Sequence, residues 1–441
     1  MSIRPGTALE PAESSTPCAV PGTPLADVRG GIDACVHCGF CLQACPTYTA
    51  LDDENDSPRG RIVLMRSVFE GDLAPADPSV QEHIARCLGC RACETVCPSG
   101  VPYGQLLEAT RATITPYRPA PLLARLGLRS FAFPRLLGAL MAASRLLRMT
   151  GIPRLLARMP GRLGFANAML AATASPVDAP SYTPSGDGSR GSVAVLTGCV
   201  MEGLFPDANR ATERVLVEND YALVPAPGQR CCGALHAHSG SLDAARDLAR
   251  RNVDAFERSG ARYVVTNSAG CGAMMKEYGH LLANDAAYAE RAARLAERVR
   301  DATQLLADAG PRPGAAVEAR ITYDAPCHLV HAQRLTTPPL VVLGAIPGLE
   351  LVPLEDADRC CGAAGIYSLI EPGTSQAVLE PKLAHIAETG AELVATGNPG
   401  CLMQIGAGLR MTGASARAVH PIELLDLSYA RAHQERRQVS E

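Results

Sequence analysis

Two runs of cysteine constrain this chain more than anything else in it: Cys35, Cys38, Cys41 and Cys45 before Pro46, and Cys87, Cys90, Cys93 and Cys97 before Pro98. Both have the spacing C-x2-C-x2-C-x3-C-P. Thiolates set this closely wrap one face of an inorganic cubane, while the last cysteine, placed further along and followed by proline, serves the neighbouring one. The predicted pairing is therefore crossed. Cys35, Cys38, Cys41 and Cys97 hold one 4Fe-4S cluster, and Cys87, Cys90, Cys93 and Cys45 hold the other. Structural zinc is the competing use of cysteine, but zinc frameworks typically offer C-x2-C pairs rather than two quartets each closed by proline.

Sixteen of the 17 cysteines fall into motifs, in a chain of 441 residues with no basic and apolar leader. That pattern points to ligation in a reducing, cytoplasmic compartment rather than to disulfides. Cys18 stands apart, in a Pro-, Ser- and Thr-rich stretch read as a flexible tail over residues 1–26, and is expected to be a bystander. No run reaches the roughly 18 apolar residues of a spanning helix. A net charge of -4 and the absence of Trp argue against nucleic acid as a partner.

The tail leads into a cluster domain over residues 27–110. Within it, Ser57-Pro58 should open a helix that buries Ile62, Met65 and Phe69 on one face, with Arg59, Arg61 and Arg66 expected on a solvated one. Residues 111–190 form a connector and linker. Ten Arg lie between Arg111 and Arg162, with no Asp or Glu from Ala109 to Val177, and prolines divide the stretch into short helices. It reads either as a packing strap across the cluster domain or as a basic, apolar surface for the anionic inner face of the cytoplasmic membrane. Residues 175–190 read as a linker with little to bury.

The rest is a repeat, with units at 191–310 and 311–441. Cys199 corresponds to Cys327 at an offset of 128, Cys231-Cys232-Gly233 to Cys360-Cys361-Gly362 at 129, and Cys271 to Cys401 at 130. Short β-branched runs, Val193 to Thr197, Tyr263 to Thr266, Ile321 to Asp324 and Leu393 to Thr396, each end just before a cysteine. Between them lie helical patterns such as Leu242, Ala245, Ala249, Val253 and Phe256. The fold class expected is α/β, with a helical ferredoxin domain first and two α/β units with largely parallel sheets after it. Ligands of such sheets gather beyond the carboxyl ends of the strands, where Cys199, Cys271, Cys327 and Cys401 fall. Their small neighbours Gly198, Gly270, Gly272 and Gly400 would let the backbone approach a bulky inorganic group.

Adjacent cysteines on a turn ending in Gly233 or Gly362 can meet one cluster or metal, so one or two further iron-sulfur or metal centres are expected. Cys199, Cys231, Cys232 and Cys271 would hold one, and Cys327, Cys360, Cys361 and Cys401 the other. His236, His238, His328 and His331 lie close enough to ligate, relay a proton or satisfy a hydrogen bond, the last being the commonest use of a lone histidine. No phosphate-binding Gly-rich loop follows a strand, so no nucleotide or flavin site is expected in this chain.

Taken together, Thr197-Gly198-Cys199-Val200, Cys231-Cys232-Gly233-Ala234, Ser268-Ala269-Gly270-Cys271-Gly272, Asp324-Ala325-Pro326-Cys327, Cys360-Cys361-Gly362-Ala363 and the closing Pro421-Ile422-Glu423-Leu424-Leu425 resemble the iron-sulfur subunit of bacterial glycolate oxidase. More distant likeness runs to the lactate-utilisation, anaerobic glycerol-3-phosphate dehydrogenase and heterodisulfide reductase iron-sulfur subunits. The resemblance implies an electron carrier beside FAD-binding subunits that oxidise glycolate or D-lactate, with quinone or another acceptor downstream. The fullest CCG pattern ends in C-x-x-C, whereas Met274 and Gln404 stand at its last position here. That departure speaks against a five-thiolate cluster and against a thiol or disulfide reductase.

Overall fold

The computed structural model describes residues 18–119, 122–131, 133–365 and 367–440. The expected tail lies outside the described residues as far as position 17. From Val20 onward the chain is already packed: Leu25 is fully buried, and its backbone N–H donates to Thr113 Oγ1 at 3.1 Å. The tail reading therefore fails for residues 18–26, because Leu25 completes the apolar core of the cluster domain. Cys18 lies at the edge of that core.

The cluster domain is built of short helices around the helix Pro58–Glu70. Ser57 caps it, its Oγ accepting from Gly60 N at 2.9 Å, and Pro58 takes the first turn, where its missing N–H costs nothing. Ile62, Met65 and Phe69 are buried as expected. Arg61 is not on a solvated face: it is wholly buried, on a stripe with Leu64, Met65 and Val68. The helix Tyr103–Ile114 closes the domain, running past the expected boundary at 110.

Each repeat unit carries a four-stranded sheet in which every pairing is parallel. The first comprises β1 (Gly191–Val195), β2 (Tyr221–Leu223), β3 (Tyr263–Thr266) and β4 (Val299–Asp301), in the order β2-β1-β3-β4. The second comprises β5 (Ala319–Tyr323), β6 (Leu349–Val352), β7 (Leu393–Ala395) and β8 (Arg417–Val419), in the order β6-β5-β7-β8. Parallel strands require covering helices. The helix Leu242–Ser259 supplies one, with Ala245, Ala249, Val253 and Phe256 fully buried. The two units are not independent, since one apolar core runs from Val193 and Val215 through Ile321 and Val342 to Leu424 and Tyr429.

Two other expectations need correction. The stretch 175–190 has no regular structure, yet Tyr182 is buried in the shared core with its OH donating to Asp426 Oδ1 at 3.0 Å. The connector does not lie across the cluster domain either. Its last helix, Gly161–Ala171, packs on the helix Pro399–Met411 of the second unit through Ala168, Met169 and Ala407. Its longest, Pro134–Met149, sits on the first unit, with Met141 against Gly203 and Arg148 donating to Thr173 O and Leu204 O.

Candidate metal centres

Two neighbouring cavities open in the cluster domain. One is lined by Cys35, Cys38, Cys41 and Cys97, with Cys93 at its inner wall. The other is lined by Cys45, Cys87, Cys90 and Cys93, together with Thr47, Arg61 and Tyr103. Each of the two runs thus contributes its last cysteine to the cavity of the other. The cavities differ in exposure. Cys38 is exposed at the outer one, between Val36 (68% exposed) and Phe40 (66%). All four thiols of the inner one are buried.

At the inner cavity, Cys87 Sγ accepts from Gly89 N at 3.4 Å and from Tyr103 OH at 3.7 Å. Hydrogen bonds of this kind stabilise a thiolate and tune whatever it ligates. Burial pushes the Cys93 thiol well up, and raises Cys45 despite the opposing pull of Arg61; at the outer cavity it takes Cys41 to about 11. These groups therefore keep their protons until a cation displaces them, so loading the cavities releases protons.

In the repeat, the eight cysteines stand beyond the carboxyl ends of the strands; the sequence reading places Cys199, Cys271, Cys327 and Cys401 there. Cys199 and Cys327 follow β1 and β5, Cys271 and Cys401 lie on helices after β3 and β7, and the adjacent pairs follow β2 and β6. Gly233 and Gly362, directly after the pairs, have φ of 92° and 82°, the left-handed geometry that glycine takes without strain. Cys199 and Cys231 approach to 3.3 Å, as do Cys361 and Cys401. Asn398 joins the two sets: its Nδ2 donates to Cys401 Sγ at 3.5 Å, and its Oδ1 accepts from Gly270 N at 3.2 Å. The expected role of Gly272 is different from the one found. A Cβ there would come within 2.7 Å of Gln333 Nε2, so this glycine makes room for the other unit.

The second set has a charged support that the first lacks. Lys382 Nζ lies 3.0 Å from Asp324 Oδ1, both side chains 2% exposed, and donates to Asp356 O and Ala357 O just ahead of Cys360. Burial pulls the Lys382 ammonium down, but Asp324 outweighs it and the net direction is up. One offset of 130 earlier, Asn252 plays this part without charge, donating to Cys231 O at 3.1 Å.

The inner loop of the cluster domain is clamped between the two units. Cys90 packs on Cys360 with Leu88 and Tyr367, Arg91 pairs with Glu277, and Tyr367 OH donates to Arg86 O at 2.8 Å. The histidines serve this junction. His328 pairs with Gly89 O at 3.1 Å, burial driving it down to about 3; His331 meets Thr95 Oγ1 at 2.9 Å, and His238 meets Glu108 at 2.8 Å. His236 is buried, with Nδ1 unpartnered. Sequence reasoning missed Arg61, Asn398 and Lys382. Only Arg61 had a signal, its spacing of three, four and seven residues from Leu64, Met65 and Val68.

In the cluster domain the thiol sets suit polynuclear clusters better than single ions. Tetrahedral zinc at about 2.3 Å from each sulfur draws sulfurs to about 3.8 Å of one another. Among the described residues, Asp53, Asp56 and His83 are the trio whose ligand atoms lie within 4.8 Å of each other, and no three thiols do so. In the cluster domain they line the walls of cavities instead.

Fold and sites together define an iron-sulfur protein, a two-cluster ferredoxin domain fused to a tandem cysteine-rich repeat. Residues 31–101 match the family of 4Fe-4S dicluster domains, and residues 193–276 and 321–406 each match the Cysteine-rich domain family. The probable glycolate oxidase iron-sulfur subunit of Bacillus subtilis is 38% identical over 90% of this chain and 94% of its own length. The glycolate oxidase iron-sulfur subunit of Escherichia coli is 36% identical over 83% and 88%. The lactate utilization protein A of an Exiguobacterium species is 31% identical over 53% of this chain and 96% of its own length. The chain belongs to the glycolate oxidase iron-sulfur subunit family.

Proposed function

We propose that this chain is the electron-transfer subunit of a complex that oxidises glycolate, with the flavin chemistry on an FAD-binding partner. The cysteine sets divide as Cys35, Cys38, Cys41 and Cys97 against Cys45, Cys87, Cys90 and Cys93. A 4Fe-4S cluster in each cavity supplies a one-electron site. What carries the reading is the contrast between the cavities. The outer one meets the surface through an apolar rim of Val36 and Phe40, where a partner can bring its flavin close. The inner one is sealed and abuts Cys360, so electrons pass inward without exposing a reduced centre to water.

In the anaerobically reconstituted chain, glycolate should produce the EPR signals of reduced clusters only when the FAD-binding partner is present. Stoichiometric FAD in the chain purified alone, or reduction by glycolate without partner, would remove the proposal. Signals raised by D-lactate or glycerol 3-phosphate and not by glycolate would move the chain to the neighbouring dehydrogenases instead.

The connector supports one further step, delivery to quinone at a membrane surface. Among the described residues no helix is long and apolar enough to cross a membrane. The connector nevertheless exposes Leu126 (51%), Phe133 (61%), Leu146 (66%) and Met149 (78%) beside exposed Arg125, Arg129, Arg154 and Arg158. Apolar burial together with about 1 kcal/mol per basic residue suits attachment to anionic lipid. Arg148 is half-buried and held by Thr173 and Leu204, and is no part of that face. Flotation of the complex should require anionic vesicles, weaken with salt, and fall on replacing those four exposed arginines with Glu. Equal flotation on neutral and anionic vesicles, or none on either, leaves the connector as packing.

A further inference from the structure

Arg61 is a guanidinium sealed inside the cluster domain, its side chain 1% exposed. Its Nη2 meets Asp56 Oδ1 at 3.0 Å, and its Nε donates to His83 O at 2.7 Å. Asp56 does not neutralise it alone, because Arg86 Nη1 lies 3.0 Å from the other carboxylate oxygen. One buried carboxylate thus serves two guanidinium groups, and the second acid of the group, Glu82, pairs with Arg86 at the surface, away from Arg61. Arg61 is the charge of this group that faces the inner cavity. Arg61 Nη1 donates to Thr47 Oγ1 at 3.0 Å and reaches Cys45 Sγ at 4.0 Å, and the Thr47 hydroxyl is itself 3.2 Å from the same sulfur.

For holding the fold alone, a buried charge is a poor choice, since well-packed apolar groups do as well or better. Beside a wall of four thiolates the charge has a use. An electron entering this cavity adds one negative charge in a place water cannot reach, and no proton accompanies it when the neighbouring base is a guanidinium, which does not titrate. Among the described residues, the outer cavity has no such buried group. The arginine in its lining, Arg59, has a side chain 30% exposed, paired with Glu54 at 2.8 Å and donating to the His37 carbonyl at 3.3 Å.

We propose that Arg61 is the fixed countercharge of the inner cavity, favouring the one-electron-reduced state there over the outer cavity and so setting the inward direction of transfer. The proposal rests on the reading that Cys45, Cys87, Cys90 and Cys93 hold one cluster. The electron comes from the partner's reduced flavin, the inner site gains it, and no bond to Arg61 forms or breaks.

The test is an EPR-monitored potentiometric titration of the reconstituted full chain, with the inner signal identified by its loss in Cys45→Ser. In Arg61→Gln at full iron content, the reduced-to-oxidised ratio of that signal at fixed potential should fall about tenfold, about 59 mV for one electron. Asp56→Asn, which releases more of the positive charge, should shift the ratio the other way, and the double variant should return towards the parent. Arg61→Lys keeps the charge and should stay near the parent. A merely structural role predicts loss of iron, not shifts of opposite sign. An unmoved inner signal in fully loaded Arg61→Gln, or shifts of one sign in both single variants, overturns the proposal. If Arg61→Gln fails to load, Asp56→Asn decides alone: an unmoved or lowered ratio overturns it. If Cys45→Ser leaves both signals intact, the cluster assignment fails, and the inference falls with it.

Discussion

Replacing Cys97 with Ser should cost about half the iron of the cluster domain, and the half that is lost should be that of Cys35, Cys38 and Cys41. Sequence proximity argues the opposite, because Cys97 is four residues from Cys93. The short helix Ala92–Thr95 intervenes and carries Cys97 across to the outer cavity, while Cys93 stays at the wall between the two. A serine oxygen is a weaker ligand for iron than a thiolate, so the outer cluster should be incomplete or absent after reconstitution. Iron and sulfide counts, with EPR compared against a Cys87→Ser control, will tell the two apart. Loss of the same signal in both variants would mean that each run holds its own cluster.

The other large effect concerns the second cysteine set. Lys382→Met strips the partner from Asp324 where no water can replace it, and leaves the Asp356 and Ala357 carbonyls without their donor. Breaking a buried ion pair on one side costs about 3–5 kcal/mol. The double variant with Asp324→Asn should recover most of the loss, since an amide can still accept from Thr396 Oγ1, now 2.9 Å from Asp324 Oδ2. Denaturant titrations of the full chain measure both. A loss below about 1 kcal/mol, the scale of a surface pair, would show that the site is wetter than its burial implies.

What could be read from the sequence was what local spacing dictates. Ligands a few residues apart, a β-branched run ending at a cysteine, and a Gly that must take positive φ after two cysteines all leave marks in a short window. The amphipathic period of Leu242–Ser259 does the same. Contacts between distant segments leave none. Nothing in Leu88-Gly89-Cys90 announces that it will lie against Cys360, or that Tyr182 in a Pro- and Ser-rich stretch will find a cavity in the shared core. Arg61 was misread for a related reason. Charge is a good guide to the outside of a helix, but here the helix lies between apolar core and thiol wall, and its period, not its charge, gave the face.

A duplicated domain offers two equivalent cysteine sets, and the ferredoxin domain, though it touches both units, packs a thiol of its own against only the second, Cys90 on Cys360. Two sites descended from one pattern thus live under different rules. The second set shares a wall with the inner cavity and rests on a salt bridge, so a change in its packing is felt at Cys90. The first rests on the amide of Asn252 and the packing of Met274, with His236 beside it. A substitution in it would therefore touch neither Cys90 nor the Lys382–Asp324 pair.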